Sequence, residues 1–556
     1  MFRLVLALSW LRLVSSSSWS ALNDSLDGSL FSARPLALPC FSSFNNTPVH
    51  PDPSACALLQ QNYSNATYKS SLYPNTMQPE WGTCMTTHSQ CLLDYTDPTN
   101  PLAFLDASCD QGSISPYYID VRSPQDVLTA FSFANATGIP LSIKNSGHDY
   151  KGRSNIPSSL ALWTRNLNSM TYNASFVPEG CPSSQSYNTI TTGAGNNFQD
   201  LYAFADQNNV TLIGGYAQTV GASGGWVMGG GHSVLSPVYG LGIDRVLQFL
   251  VVTPSGLTLT ANSCQNTDLF WALRGGGGGT FGVVLESTHR VEGRLSMQVA
   301  SLSMNATSTN MRAYYEILVN NSMQWASEGW GGHIVDSAIN YVTPLLSLAE
   351  AQASMEPIAS YVTSQGGSVV IETMDSWYDY FEKYVVPTQE SVARLLAIGS
   401  RLMPQSVFIS PTLSSQLVDL LLTFPLVYIP VVGPVLYNET AANETSATPA
   451  WRDSLWHVNT GLMWYFNTST ADVNANFGLV HNYTLAMTEI APDSGAYLNE
   501  GDVYQSDHET AFWGDNYSEL LSIKQKYDPW GLLDCWQCVG WKGHSNKDFE
   551  CYFPSP

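Results

Sequence analysis

Positive charge is scarce in this chain. Only 22 lysines and arginines face 45 aspartates and glutamates, a formal net charge of −23. A surface that acidic repels a phosphate backbone, so no nucleic-acid partner is expected. Long apolar runs are missing too. A bilayer-spanning helix needs about 20 apolar residues. The nearest approach, Leu417 to Leu436, holds Asp419 and the prolines Pro425, Pro430 and Pro434. No membrane partner is therefore expected, and no short-period repeat is present. What remains is a chain of 556 residues, 44% hydrophobic and 12% aromatic. That composition supports a sizeable core rather than disorder. The length suits two large domains as well as three or four of about 150 residues.

Residues 1–20 read as a signal peptide. Arg3 starts it, Leu4 to Val14 are mostly apolar despite Arg12, and small residues lead to a cleavage point near Ser20 or Ala21. Ten cysteines follow: Cys40, Cys56, Cys84, Cys91, Cys109, Cys181, Cys264, Cys535, Cys538 and Cys551. Fourteen Asn-x-Ser/Thr acceptors occur, among them Asn62, Asn65, Asn135, Asn438 and Asn443. Together these point to a secreted or secretory-pathway protein with disulfides and N-glycans. The cysteine connectivity stays open at this level.

Residues 21–112 form a Cys/Ser/Pro-rich extension. From Tyr117 strands and helices alternate. Tyr118 to Val121 reads as a strand, Ser123-Pro124 as a helix start, and Val127 to Asn135 as the helix. Pro140 to Ile143 and Ile190 to Thr192 read as strands, Asn197 to Asn208 as a helix, and 247–260 as a hairpin about Pro254-Ser-Gly256. Beyond residue 300 glycine thins out. Helical stretches (Met311 to Leu318, Leu345 to Thr363) mix there with strand-like runs (Ser368 to Thr373, Val407 to Ser410, Leu462 to Phe466), which implies a second domain.

Three glycine clusters carry the chemistry. The first is Lys144-Asn-Ser-Gly-His-Asp-Tyr-Lys-Gly-Arg-Ser154. The second places eight glycines between Gly214 and Gly231, and the third runs from Gly275 to Gly279 after Arg274. Glycine lets a backbone approach a ligand closely, and runs of free amides bind anions. Four motifs compete for these and neighbouring segments. Gly193-Ala-Gly195 starts a dinucleotide fingerprint but has Phe198 in place of the third glycine. Gly147 to Ser154 has the spacing of a nucleotide-triphosphate loop, with Arg153 for lysine and Pro157 where a helix is needed. Gly221-Ala-Ser223-Gly-Gly225 satisfies a nucleophile elbow, but Gly229 to Gly231 weaken the helix it requires. Cys535, Cys538, His544 and Cys551 could ligate zinc, although disulfides are favoured for them and no metal is expected.

The segment Pro140 to Ser154 resembles the flavin-attachment segment of the vanillyl-alcohol-oxidase-type flavoproteins, and more closely that of the berberine-bridge-enzyme-like group. The similarity continues through Thr192 to Gly195, Gly214 to Gly221 and Leu273 to Val284. It returns in Tyr497-Leu-Asn499-Glu500, Phe512 to Tyr517 and Leu520 to Pro529. The extension and the ending Leu532 to Lys542 look like fungal members such as isoamyl alcohol oxidase.

The resemblance implies an α+β fold. A two-part FAD-binding domain of the PCMH type occupies 113–296. A substrate domain with an antiparallel sheet backed by helices occupies 297–484, and a C-terminal segment, 485–556, returns to the flavin. It implies FAD bound covalently through the 8α-methyl to His148. No second, cysteinyl bond is expected, because Ala217 stands at the position other members give to Cys. Lys144, Asn145, Ser146, Gly147, Asp149, Gly221, Gly224, Gly225, Gly282, Val284, Asn499 and Tyr517 are the further cofactor contacts it implies. Tyr517, Glu500 and Tyr465 are the candidate catalytic bases, with His457 behind them, and Trp226 is a candidate neighbour of the flavin face. The implied reaction passes hydride from an alcohol or specialised metabolite to FAD and on to O2, giving H2O2. Oxidative C–C or C–N ring closure in secondary metabolism, and a non-catalytic binding protein on the same scaffold, are the alternatives.

Overall fold

The computed structural model describes residues 16–389 and 392–554. Most of the expected signal segment, residues 1–15, lies outside the described residues. The helix Ser16–Ser25 runs through the expected cleavage point. Trp19 stacks on Tyr117 at 4.3 Å, and Leu22 and Leu26 enter a core cluster.

Three sheets organise the rest. In the first, Tyr117–Asp120, Leu160–Trp163 and Leu141–Lys144 run parallel, and the extension adds Leu30–Ser32 antiparallel at the edge. The helix Pro124–Thr137 covers it. Ser123 and Asp126 close a reciprocal capping box, and Gly138 ends the helix at φ 72°. The second sheet is antiparallel, in the order Leu257–Asn262, Val246–Thr253, Val283–Gly293, Tyr187–Gly193, Met170–Phe176. Its first two strands are the expected hairpin, turning at Gly256 with φ 85°. The glycine clusters lie in the connections that leave these two sheets.

The third sheet has seven antiparallel strands, ordered Ser368–Met374, Met297–Ser303, Ala338–Thr343, Gly331–Val335, Tyr428–Val431, Ser454–Trp464 and Leu395–Pro404. The helices Met311–Ser327, Leu348–Ser364 and Pro411–Leu421 pack on one face, burying Trp325, Met355 and Leu417 against Trp456 and Val458. The other face turns toward the glycine-rich half. Val407 to Ser410 is not a strand: Gln405–Ile409 is a helix, and Ser410 caps the next one. A short apolar run does not reveal its own period, and here Val407 and Phe408 join the helix layer.

After the helix Thr470–Ile490 the chain returns to the first half. Trp513 Nε1 donates to Gly275 O at 3.1 Å, and Lys524 Nζ donates to Thr280 O at 2.6 Å. All ten cysteines pair: Cys40–Cys56, Cys91–Cys109, Cys181–Cys264, Cys535–Cys538 and Cys84–Cys551. The zinc alternative for the C-terminal cysteines therefore falls, and His544 faces the Tyr552 carbonyl instead. No helix among the described residues is long and apolar enough to cross a membrane.

One pair tunes stability with pH. The Asp502 carboxylate, hydrogen-bonded at 2.5 Å, raises the pKa of the His481 imidazole above its ordinary 6.5. A group held protonated by the fold stabilises it fully below its unfolded pKa, and that contribution fades as pH rises through the folded pKa. His481→Gln should therefore lower Tm more at pH 5.5 than at pH 9. Equal losses at both values would contradict this.

Candidate active site

The first glycine cluster is a strap leaving the strand Leu141–Lys144. Gly147 takes φ 86° and turns it back. Asp149 folds the strap on itself, its carboxylate accepting from Lys151 N at 3.0 Å, Ser154 N at 2.7 Å and Ser154 Oγ at 2.8 Å. Asn499 clamps it from the returning segment. Its Oδ1 accepts from Tyr150 N at 3.4 Å and its Nδ2 donates to His148 O at 3.5 Å. Asp149 thus shapes the loop instead of facing a ligand. Lys144 also points away, donating to Asn155 Oδ1 at 3.3 Å beside the Tyr73 ring. Burial lowers its pKa to about 7.

His148 is partly buried, with Nε2 2.7 Å from Thr219 Oγ1. Burial, with the Lys69 ammonium nearby, pushes its pKa down to about 4. The ring is neutral at physiological pH, and among the described residues Nδ1 has no hydrogen-bond partner. Ala217, two residues before Thr219, leaves His148 without a cysteine opposite.

The cradle fits FAD. The amides of Ser146, Gly147 and His148 have no acceptor among the described residues, so they are available to an anion such as a pyrophosphate. Asn145 donates to Ala194 O and to Thr164 Oγ1, leaving its buried Oδ1 unpartnered. A Cβ at Gly221 would lie 2.3 Å from that oxygen, and one at Gly224 3.2 Å from Nδ2. A Cβ at Gly225 would meet nothing within 4 Å, and one at Gly278 would come within 3.0 Å of Gly225 Cα. Gly221 and Gly224 of the second cluster thus pack on Asn145 of the first, and Gly225 meets Gly278 of the third, so backbone from all three clusters converges.

Four further residues singled out in the sequence sit as follows. A Cβ at Gly282 would strike Val252 O at 2.5 Å, so glycine is needed there for packing between strands. Val284 beside it is a buried strand residue paired with Val251. Trp226 is buried against Gly215 and Gly231 of the second cluster. It packs on Phe198, and its Nε1 donates to His232 O at 3.2 Å, fixing the loop after Gly229 to Gly231. Ser223, the elbow candidate, is buried. It is hydrogen-bonded to Ser287 Oγ at 2.6 Å, which in turn contacts His289, so it offers no nucleophile to a substrate.

The candidate bases separate. Tyr465 lies one residue past the strand Ser454–Trp464, 54% exposed and stacked on Tyr95. Odd-numbered side chains on this strand share a face. That face begins at His457 in the interior and runs out to solvent by Met463, so Tyr465 is set aside. Tyr517 opens the helix Tyr517–Tyr527, and its Oη accepts from Gly540 N at 3.3 Å, away from the other candidates. Glu500, by contrast, meets two imidazoles. His232 Nε2 is 3.7 Å from Oε1, and His457 Nδ1 is 3.6 Å from Oε2. His457 Nε2 is 2.8 Å from Ser400 Oγ.

Tyr497 and Trp451 wall the group edge-on, with Tyr497 5.3 Å from His232 and 5.7 Å from His457. His333, held between Tyr216 and Tyr428, completes the surroundings with both ring nitrogens unpartnered. Burial pushes His457 and His333 down to about 3, so both are neutral. Burial alone would raise Glu500, but the adjacent His232 outweighs it and holds the carboxylate below its ordinary pKa. His232 and His333 escape sequence reasoning. The one signal is that each directly follows a glycine run, Gly229 to Gly231 and Gly331-Gly332, which brings backbone close to the cleft.

Comparison with known proteins shows which family the chain resembles. The profile described as "FAD binding domain" matches residues 115–262, and that described as "Berberine and berberine like" matches 496–535. The chain is 42% identical to the FAD-linked oxidoreductase ffsJ of Aspergillus flavipes, over 96% of this chain and 94% of that protein. It is 38% identical to the FAD-linked oxidoreductase cheF of Chaetomium globosum, over 97% and 89%. The crystal structure of the VAO-type flavoprotein MtVAO615 from Myceliophthora thermophila superposes with a TM-score of 0.80 at 26% identity, covering 97% of this chain and 98% of that one.

Proposed function

The chain belongs to the FAD-linked oxidoreductases of the vanillyl-alcohol-oxidase and berberine-bridge type, and from that premise we propose that it is an oxidase of alcohols with FAD joined to His148. The single observation that carries the reading is Glu500 held between His232, which follows the second glycine cluster, and His457. Bound FAD supplies the two-electron acceptor, which O2 restores with release of H2O2. The amides of Ser146 to His148 hold the pyrophosphate, and Asn499 keeps their strap in place. The neutral His148 ring, anchored through Nε2, would offer Nδ1 as the nitrogen that tethers a flavin held in this cradle. The His232–Glu500–His457 group takes the hydroxyl end of the substrate and removes its proton, while the C–H hydrogen leaves as hydride. Tyr497 and Trp451 exclude water around that oxygen. The five disulfides support passage through an oxidising, secretory compartment, where the Asn-x-Ser/Thr sites would carry glycans.

Acid precipitation tests the cofactor assignment. Yellow colour should stay with the pellet, and His148→Ala should release it to the supernatant. An oxygen-uptake screen over alcohols then tests the reaction. A folded protein that stays colourless when FAD is supplied would overturn the proposal.

A further inference from the structure

We infer that His232, His457 and Glu500 hold a divalent transition-metal cation of the zinc class, with one coordination position open to a substrate oxygen. The inference rests on the alcohol-oxidising reading and deepens it: the group binds the hydroxyl through an ion.

Two imidazoles and one carboxylate, with a fourth position left to water or substrate, form a donor set of the kind that catalytic zinc sites use. The geometry is close to what such an ion needs. Ligands about 2.0–2.2 Å from a tetrahedral centre stand roughly 3.4 Å apart. Here His232 Nε2 is 3.7 Å from Glu500 Oε1 and His457 Nδ1 is 3.6 Å from the other oxygen, Oε2, while one donor atom from each residue lies within 4.8 Å of the others, so closure on an ion asks for a small inward shift of the side chains. Those gaps are too long for hydrogen bonds, so the three residues face one another without satisfying one another. His457 shows this most clearly. It is fully buried, and its Nδ1, aimed at Glu500, has no hydrogen-bond partner. In the tautomer that a metal ligand requires, Nε2 donates to Ser400 Oγ and Nδ1 turns a lone pair toward the Glu500 carboxylate, leaving room for a positive centre between them.

The supporting contacts suit a metal ligand. A ligating histidine ordinarily donates its second ring nitrogen to a fixed acceptor, and His457 Nε2 has Ser400 Oγ at 2.8 Å to receive that hydrogen bond. The backbone of His232 is pinned by Trp226, and Glu500 N closes a turn onto Tyr497 O at 3.1 Å. Three separate elements thus deliver the donors to one point. Among the described residues, no lysine or arginine forms an ion pair with Glu500. The carboxylate contributes one negative charge and a divalent ion two positive ones. An alkoxide oxygen in the open position would bring the buried group to neutrality, and a bound ion lowers the pKa of such an oxygen.

The test uses the full-length, flavin-loaded protein, stripped with EDTA and titrated with zinc chloride. Bound zinc is measured by plasma emission. One zinc per chain is expected, together with a zinc-dependent rise in Tm. Glu500→Gln and His232→Gln should each weaken uptake by about tenfold or more, and Ser400→Ala by about 10- to 100-fold. Cobalt should add ligand-field absorption to the flavin spectrum of the wild type but not of Glu500→Gln. A wild type that takes up neither zinc nor cobalt overturns the inference, whatever the variants do. So does equal uptake by folded variants. The oxidase reading fails separately: metal-free protein that stays yellow and consumes oxygen sinks the ion alone, whereas colourless protein that binds zinc sinks the flavin alone.

Discussion

Glu500→Gln should slow anaerobic reduction of the flavin by substrate about 10²- to 10⁴-fold, the range that a positioned proton acceptor supplies. The substitution keeps the side chain's shape and removes its charge. Glutamine cannot take a hydroxyl proton, and its amide would turn one N–H toward a neighbouring imidazole. Flavin content should not change, because the strap that includes His148 touches Asn499 and not Glu500. Stopped-flow spectra with an alcohol found by oxygen uptake would provide the measurement. A rate within fivefold of the wild type would remove Glu500 from the proton path and leave His457 and His232 to be tried in turn.

Gly275→Ala should have the largest effect on folding. Gly275 has φ 135°, and a Cβ there would lie 2.0 Å from Ala447 N and 2.5 Å from Ala447 Cα. Both are backbone neighbours that cannot rotate away. Its carbonyl accepts from Trp513, while Ser446 N donates to Arg274 O at 3.0 Å. Three segments meet at this seam: the third glycine cluster, the stretch before Trp451 and the returning C-terminal segment. Left-handed strain costs about 1–2 kcal/mol, and overpacking adds about 1–3. A lower Tm and a lower yield of flavin-loaded protein are expected. Gly256→Ala is the control. Gly256 also has positive φ, but nothing lies within 4 Å of its added Cβ, so it should lose only the strain. If the two variants melt alike, close packing at the seam is not what matters.

The flavin half was legible because its signals are local. Glycine runs, the Ser-Pro helix start at Ser123 and the hairpin at Gly256 each report a backbone demand within a few residues. The glycines marked the strap around His148 as a close-approach loop, whereas its reading as a flavin-attachment segment rests on the family resemblance. The proton-handling group was only half visible. Glu500 and His457 stood out as residue types, but nothing local says that His232 and His333, from distant parts of the chain, converge on them. That convergence depends on how the seven-stranded sheet docks onto the glycine loops. Tyr465 failed for a related reason. Alternation within Leu462 to Phe466 left open which face Tyr465 takes, and it could not show that the strand ends at Trp464 and that the chain reaches solvent there. Val407 to Ser410 was misread because four residues cannot reveal a period.

The bond between Cys84 and Cys551 closes a covalent ring, because its partners are 467 positions apart. The second and third sheets, the attachment strap and the Glu500 group all lie inside that loop of chain. A single proteolytic cut within the ring leaves one molecule, whose pieces part only under reducing conditions. Closure also has an order in time. Cys551 is synthesised long after Cys84, so the ring cannot be sealed until both halves of the cleft have been made. The closing bond is therefore a record that the whole enclosed chain was completed.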